Sequence, residues 1–156
     1  MRRDHASAKS HYGRLLIMTV LSFISMYVLM FAMADRLANV YPSFNQFYMA
    51  GLMTAPMVAI EIALMTSMYE NLRWNAIILT IAGIAAVLFF TAIRQQAAIG
   101  DTQFLRSMIP HHAGAVLMCN EAAISDPEVA ELCKGIVSGQ QSEIEKMKAI
   151  LARLER

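Results

Sequence analysis

The chain has 156 residues, 57% of them hydrophobic and 16% charged, with a mean hydropathy of +0.45, whereas soluble domains average about 45–50% apolar and about 25% charged. That excess speaks against a purely soluble globular protein. Thirteen Lys and Arg against twelve Asp and Glu leave a net charge of +1, which provides neither a positive field for gripping nucleic acid nor an acidic tail, so no nucleic-acid partner is expected.

Residues 1–14, with His5 and His11 among Arg2, Arg3, Asp4 and Lys9, read as a solvated cytoplasmic tail. Residues 15–34 follow without a charge, and at about 1.5 Å per residue such a helix crosses the ~30 Å hydrocarbon layer. A second apolar run, 47–69, is interrupted only by Glu61, and a third, 76–93, carries no charge. The links 35–46 and 70–75 are polar and too short to be domains. Residues 15–93 are therefore expected to form a three-helix transmembrane region, up, down and up. Ala32-Met33-Ala34 resembles a signal-peptidase site, but secretory apolar cores run about 7–15 residues, so the first span is expected to stay.

Basic residues set the orientation, because Lys and Arg are kept in the cytoplasm. Arg2, Arg3, Lys9, Arg14 and Arg73 lie on one side against Arg36, Arg94 and Arg106 on the other. The N-terminus is expected inside and residues 94–156 outside, which in a bacterial inner membrane is the periplasm.

Residues 94–156 hold fifteen of the twenty-five charged residues and form the water-facing part. Gly100-Asp101 reads as a helix end or hinge. Ser125-Asp126-Pro127-Glu128 has the form of a capping box separating two helical patterns. On the first, Phe104, Leu105, Met108, His111, His112, Met118 and Cys119 share an arc of about 120°. On the second, an apolar stripe from Val129 to Leu154 is interrupted by Gln140 and Glu143. A fold-back at Asp126 pairs positions summing to about 252, within roughly one turn. Cys119 then stands level with Cys133, His111 and His112 with Gln141 and Gln140, and Met108 with Glu143 and Ile144. Glu143 in an apolar seam requires a partner such as a histidine or a cation. Two helices alone offer a small core, so the hairpin is expected either to complete a four-helix bundle as a homo-oligomer or to pack against the spans.

Met108, His111, His112, Met118 and Cys119 offer soft sulfur and borderline nitrogen, a donor set that suits copper and particularly Cu(I). The plainer reading is that the methionines pack the core and the histidines form a polar patch beside Glu143. Cys119 and Cys133 have three open outcomes: a disulfide, a metal site or free thiols. Zinc in a Cys2His2 site is the rival metal, although its usual spacings are absent. Nine of the thirteen methionines lie in the spans; a thioether path for Cu(I) is conceivable there, but packing is the commoner use. Glu61 reads either as a functional carboxylate or as one that fixes helix packing. No phosphate loop, nucleophile elbow or carboxylate-bridged dimetal motif appears, so no enzymatic activity is expected.

Phe104-Leu105-Arg106-Ser107-Met108-Ile109-Pro110-His111-His112, with Met118, Asp126-Pro127, Gln141-Ser142-Glu143-Ile144 and Met147, resembles domain-of-unknown-function family 305 in its membrane-anchored form. The resemblance is strong over 98–151 and less specific in the spans, at Tyr48-Met49 and Gly51-Leu52-Met53. It implies a helical, ferritin-like shape. Because some periplasmic relatives are associated with copper binding and resistance, it also implies a copper role for Met108, His111, His112, Glu143 and Met147. Cys119 and Cys133 lie outside that pattern. The resulting expectation is a membrane protein that holds copper for tolerance or for handover to or from a partner protein. The alternatives are a structural assembly protein and a small metal transporter using Glu61 and the membrane methionines.

Overall fold

A computed structural model describes the backbone of residues 2–156 and the side chains of residues 11–156. The described residues form helices and no strands: α1 (Arg2–Leu29), α2 (Phe44–Leu64), α3 (Leu72–Gln95), α4 (Asp101–Glu121) and α5 (Pro127–Leu154), with short 3-10 turns at Met30–Met33 and Leu37–Asn39. The reading of 1–14 as a solvated tail falls partly on side chains outside the described residues. His11 is not free in solvent, since its Nδ1 donates to the Met68 carbonyl at 3.1 Å.

Among the described residues three stretches are long and apolar enough to cross a membrane: His11–Met33, Phe44–Leu64 and Leu72–Gln95, with mean hydropathies of 2.3, 1.6 and 2.6. The second ends five residues earlier than the apolar run from 47 to 69 suggests. Thr66, Ser67 and Met68 form a turn after it, and Tyr69 is buried in the link instead. Glu61 therefore stands within a turn of the end of α2 rather than deep in it, and it accepts a hydrogen bond from the Tyr69 hydroxyl at 3.4 Å. Burial, followed by the nearby Glu61 charge, pushes the Tyr69 hydroxyl above its ordinary 10.0 and keeps it a donor.

Local chemistry sets the helix ends. Asn71 caps α3 by accepting from the Arg73 and Trp74 amides. Asp126 caps α5, accepting from Glu128 and Val129, with Pro127 in the first turn where its missing donor costs nothing. This corrects the expected capping box by one residue: Asp126, not Ser125, is the cap. The break at Gly100-Asp101 falls where α4 begins, with Gly100 at the N-cap position and its carbonyl accepting from the Phe104 amide, while α3 already ends at Gln95. The left-handed residues are Gln96 and Ala98, at φ 50° and 55°, where a side chain costs about 1–2 kcal/mol per residue.

The chain divides into two compact units, Met1–Leu29 with Phe47–Ala97, and Met30–Gln46 with Ala98–Arg156. In the first, Leu15, Val58, Ile62 and Tyr69 form the core, and Met18, Met57 and Met68 pack against it. Phe23, Phe47 and Phe89 stack edge to face, with centroids 5.1 and 6.0 Å apart. The Phe89 ring of α3 sits directly against Gly51 of α2, where an added Cβ would have no room. At one end Tyr12 donates to Asn75 at 2.7 Å, and Asn75 donates to the Tyr69 carbonyl at 2.7 Å.

In the second unit α4 and α5 run antiparallel around Leu105, Ile109, Ala113, Ile144 and Leu151. Residues 30–46, which read as membrane edge and link, belong here. Ala34 and Tyr41 cover this core, Asn45 donates to Ser107 at 3.1 Å, and Gln103 accepts from the Phe44 amide at 3.0 Å. The extra packing that a small helical pair requires thus comes in part from the chain itself.

Candidate functional site

Cys119 and Cys133 are bonded as a disulfide, with Cα atoms 5.3 Å apart. Of the three open outcomes this is the one realised, and it corrects two expectations. A disulfide sulfur carries no thiolate, so Cys119 leaves the proposed donor set, and a Cys2His2 zinc site loses half its ligands.

Toward the other end of the pair, His112 and Glu143 meet, with Nε2 2.8 Å from a carboxylate oxygen. Glu143 thus has the partner its place in the stripe requires. The contact lies one turn from the register that set His112 level with Gln140, and the Gln140 side-chain oxygen is left buried without a partner. The other nitrogen of His112, Nδ1, lies 3.0 Å from the Met108 carbonyl, one turn back along α4. Because a carbonyl only accepts, Nδ1 donates there, while Nε2 donates to the Glu143 carboxylate and becomes available to an ion only when that contact opens. Glu143 is 59% exposed while His112 is 11% exposed. The pair is therefore solvent-screened on one side and contributes about 0–1 kcal/mol to stability.

The two histidines do not face the same way. The buried side of α4 runs through Leu105, Ile109, Ala113 and Val116, and successive residues differ by about 100°. His112 lies on the rim of that side, whereas His111 is turned outward and exposed. Their rings still lie 5.9 Å apart, centroid to centroid. The expected 120° arc is thus split by the helix, with Phe104 and Met118, half exposed, on its outer edge. Met118 stands six residues beyond His112, about 9 Å along the axis, and is not brought to the imidazoles. Met147 packs on the core one turn after Glu143. Among the described residues no three His, Cys, Asp or Glu side chains gather closely enough to hold a metal by themselves.

Two polar features escape the sequence reading because they lie in what reads as a solvent link. Asn39, 1% exposed, donates to Asp35. Burial alone would raise the Asp35 carboxyl, but hydrogen bonds from Arg36 and Asn39 and the guanidinium charge outweigh it and hold the group below its ordinary 3.8. Asn39 also lines a polar pocket of about 410 Å³ with Arg36, Gln141, Glu145 and Lys148. The signal was the run of Asp, Arg and Asn between two apolar stretches, which also fits a solvated turn.

The membrane methionines divide as well. Met18, Met57 and Met68 pack on the first unit's core, Met26 lies 3.6 Å from the Thr54 hydroxyl, and Met49, Met53 and Met65 are exposed.

Among known proteins, residues 84–151 match the profile described as Domain of unknown function (DUF305). The chain is 34% identical over 140 residues to the uncharacterized protein L153 of Acanthamoeba polyphaga mimivirus, covering 88% of this chain and 90% of that protein. No solved structure matches.

Proposed function

Because the chain belongs to the DUF305 family, whose description assigns no activity, we propose a function from its own residues: a membrane-anchored copper-binding protein that holds the ion outside the cytoplasm for tolerance or handover. The observation that carries this reading is the contact of His112 with Glu143 at 2.8 Å, with the His111 ring beside it, on a helix that also bears Met108. His111 and His112 supply nitrogen, Met108 and Met147 supply sulfur, and this mixture of soft and borderline donors suits Cu(I). The Met108 carbonyl fixes the His112 ring, the role an outer acceptor plays in metal sites. Glu143 faces the coordinating nitrogen, so it acts as a ligand or yields its place to the ion rather than orienting the ring from behind. The disulfide supports an oxidising, extracytoplasmic setting for this unit. The distribution of basic residues supports the same orientation, with the N-terminus cytoplasmic and, in a bacterial host, the second unit periplasmic.

The test is a Cu(I) competition titration against a chromogenic chelator, using full-length protein in mild detergent. His111→Ala with His112→Ala is expected to weaken binding about 100-fold, and Glu143→Gln about tenfold. Unchanged affinity in the double variant overturns the copper reading.

A second reading, assembly through a homo-oligomeric helix bundle, is favoured by the exposure of Phe104, Met118 and Leu132, at 50%, 55% and 63%. Light-scattering mass in detergent that returns a monomer, or an oligomer unaffected by Leu132→Glu, overturns it.

A further inference from the structure

Resting on the reading of α1–α3 as membrane spans, we propose that the first unit holds a single lipid acyl chain in a groove between its three helices. A cavity of about 440 Å³ lies between Leu15 and Thr19 of α1, Thr54 and Val58 of α2, and Ile78 and Ala82 of α3. Its polar side chains have their hydrogen bonds engaged. Thr19 donates to the Leu15 carbonyl at 2.8 Å, Thr54 to the Ala50 carbonyl at 2.7 Å and Tyr12 to Asn75 at 2.7 Å. What fills the groove offers hydrocarbon and needs no partner.

Size selects the occupant. From Tyr12 at one end to Phe23 at the other, the groove follows eleven residues of α1, about 17 Å, close to half of the ~30 Å hydrocarbon layer. A volume of 440 Å³ spread over that length leaves a cross-section of about 26 Å². A helix with side chains, about 10 Å across, requires roughly 80 Å². A single polymethylene chain, with neighbours about 4 Å from its carbons, requires roughly 15–20 Å². The groove holds a chain within it, whereas a fourth helix is too wide to enter and would only lie across its mouth.

Its two ends suit one leaflet. Tyr12 stands at the mouth with the Tyr69 ring against it, 5.4 Å centroid to centroid, and an amphipathic ring there suits headgroup level. The ring of Phe89, seated where a side chain on Gly51 would have to go, closes the floor together with Phe23 and Phe47. In lipid the chain gains nothing by leaving water; it gains contacts with walls that are bare without it.

Native mass spectrometry of the full-length protein, incubated in detergent with phosphatidylcholine, tests this. Wild type is expected to retain one dipalmitoyl lipid per chain and to hold the dioctanoyl form, whose tails fall short of the floor, about tenfold less. Ala82→Leu with Ala85→Leu, which fills the groove, is expected to lose the lipid, and Ile84→Phe on the exposed side of α3 to keep it. The tail-length comparison needs only the wild type, so misfolding of the filled variant does not decide the outcome. Equal retention of both tails, no lipid on wild type, or retention by a normally helical filled variant overturns the groove. Release of the protein from membranes by alkaline carbonate overturns the membrane reading itself, and a protein that stays with the membranes but carries no lipid overturns the groove alone.

Discussion

The two units solve the same problem, burying apolar helix faces, in opposite ways. α1, α2 and α3 leave an apolar groove between them and are joined by hydrogen bonds at one end. α4 and α5 are closed by a disulfide, by the His112–Glu143 contact and by Arg106 donating to Glu155 at 2.7 Å, and their core is capped by residues 30–46. Surrounding lipid is as apolar as leucine, so helices within it gain little by excluding it and tolerate gaps that a lipid tail can fill. Water tolerates no such gap, and a pair of helices too small to bury a full core recruits covalent and polar cross-links instead.

Substitutions sharpen that contrast. The largest effect is expected from Ile109→Ala. Ile109 is fully buried, and its truncation should cost about 4 kcal/mol, seen as a drop in the thermal midpoint by circular dichroism. An equal loss from Ile84→Ala, on the exposed face of a span, would break the contrast. Next, Cys119→Ser with Cys133→Ser opens a loop with a sequence separation of 14 and should lower stability by about 3 kcal/mol in denaturant titrations, an effect that reductant reproduces in wild type and not in the variant. In the first unit, Asn75→Ala leaves the Tyr69 carbonyl without its partner and the Tyr12 hydroxyl with only the Asn71 carbonyl at 3.3 Å, and should cost about 2 kcal/mol, measured by heat-induced aggregation in detergent. The smallest shift is a gain: Ala98→Gly relieves a left-handed alanine and should add about 1 kcal/mol.

Hydropathy made the three apolar stretches legible because composition alone decides them. The pairing level of Cys119 and Cys133, and the demand of Glu143 for a partner, followed from helical periodicity and the cost of a bare carboxylate. What periodicity could not resolve was rotation by a single residue. His111 and His112 fall within one arc on a helical wheel, yet the packed side of α4 admits only His112. The same limit moved the α5 cap from Ser125 to Asp126, since Pro127 fits the first turn only behind that residue. The link 35–46 read as solvent because its polar residues carry no period. Its contribution, Asn39 buried and Tyr41 on the core, is long-range and leaves no local trace.

Trp74, the single tryptophan of the chain, sits exposed at the start of α3. Intrinsic indole emission therefore originates wholly in the three-span unit, while the disulfide-bearing unit contributes only tyrosine and phenylalanine. Wavelength thus separates the two halves of one molecule, and an unfolding curve followed at the red edge is silent about the half that carries the histidines.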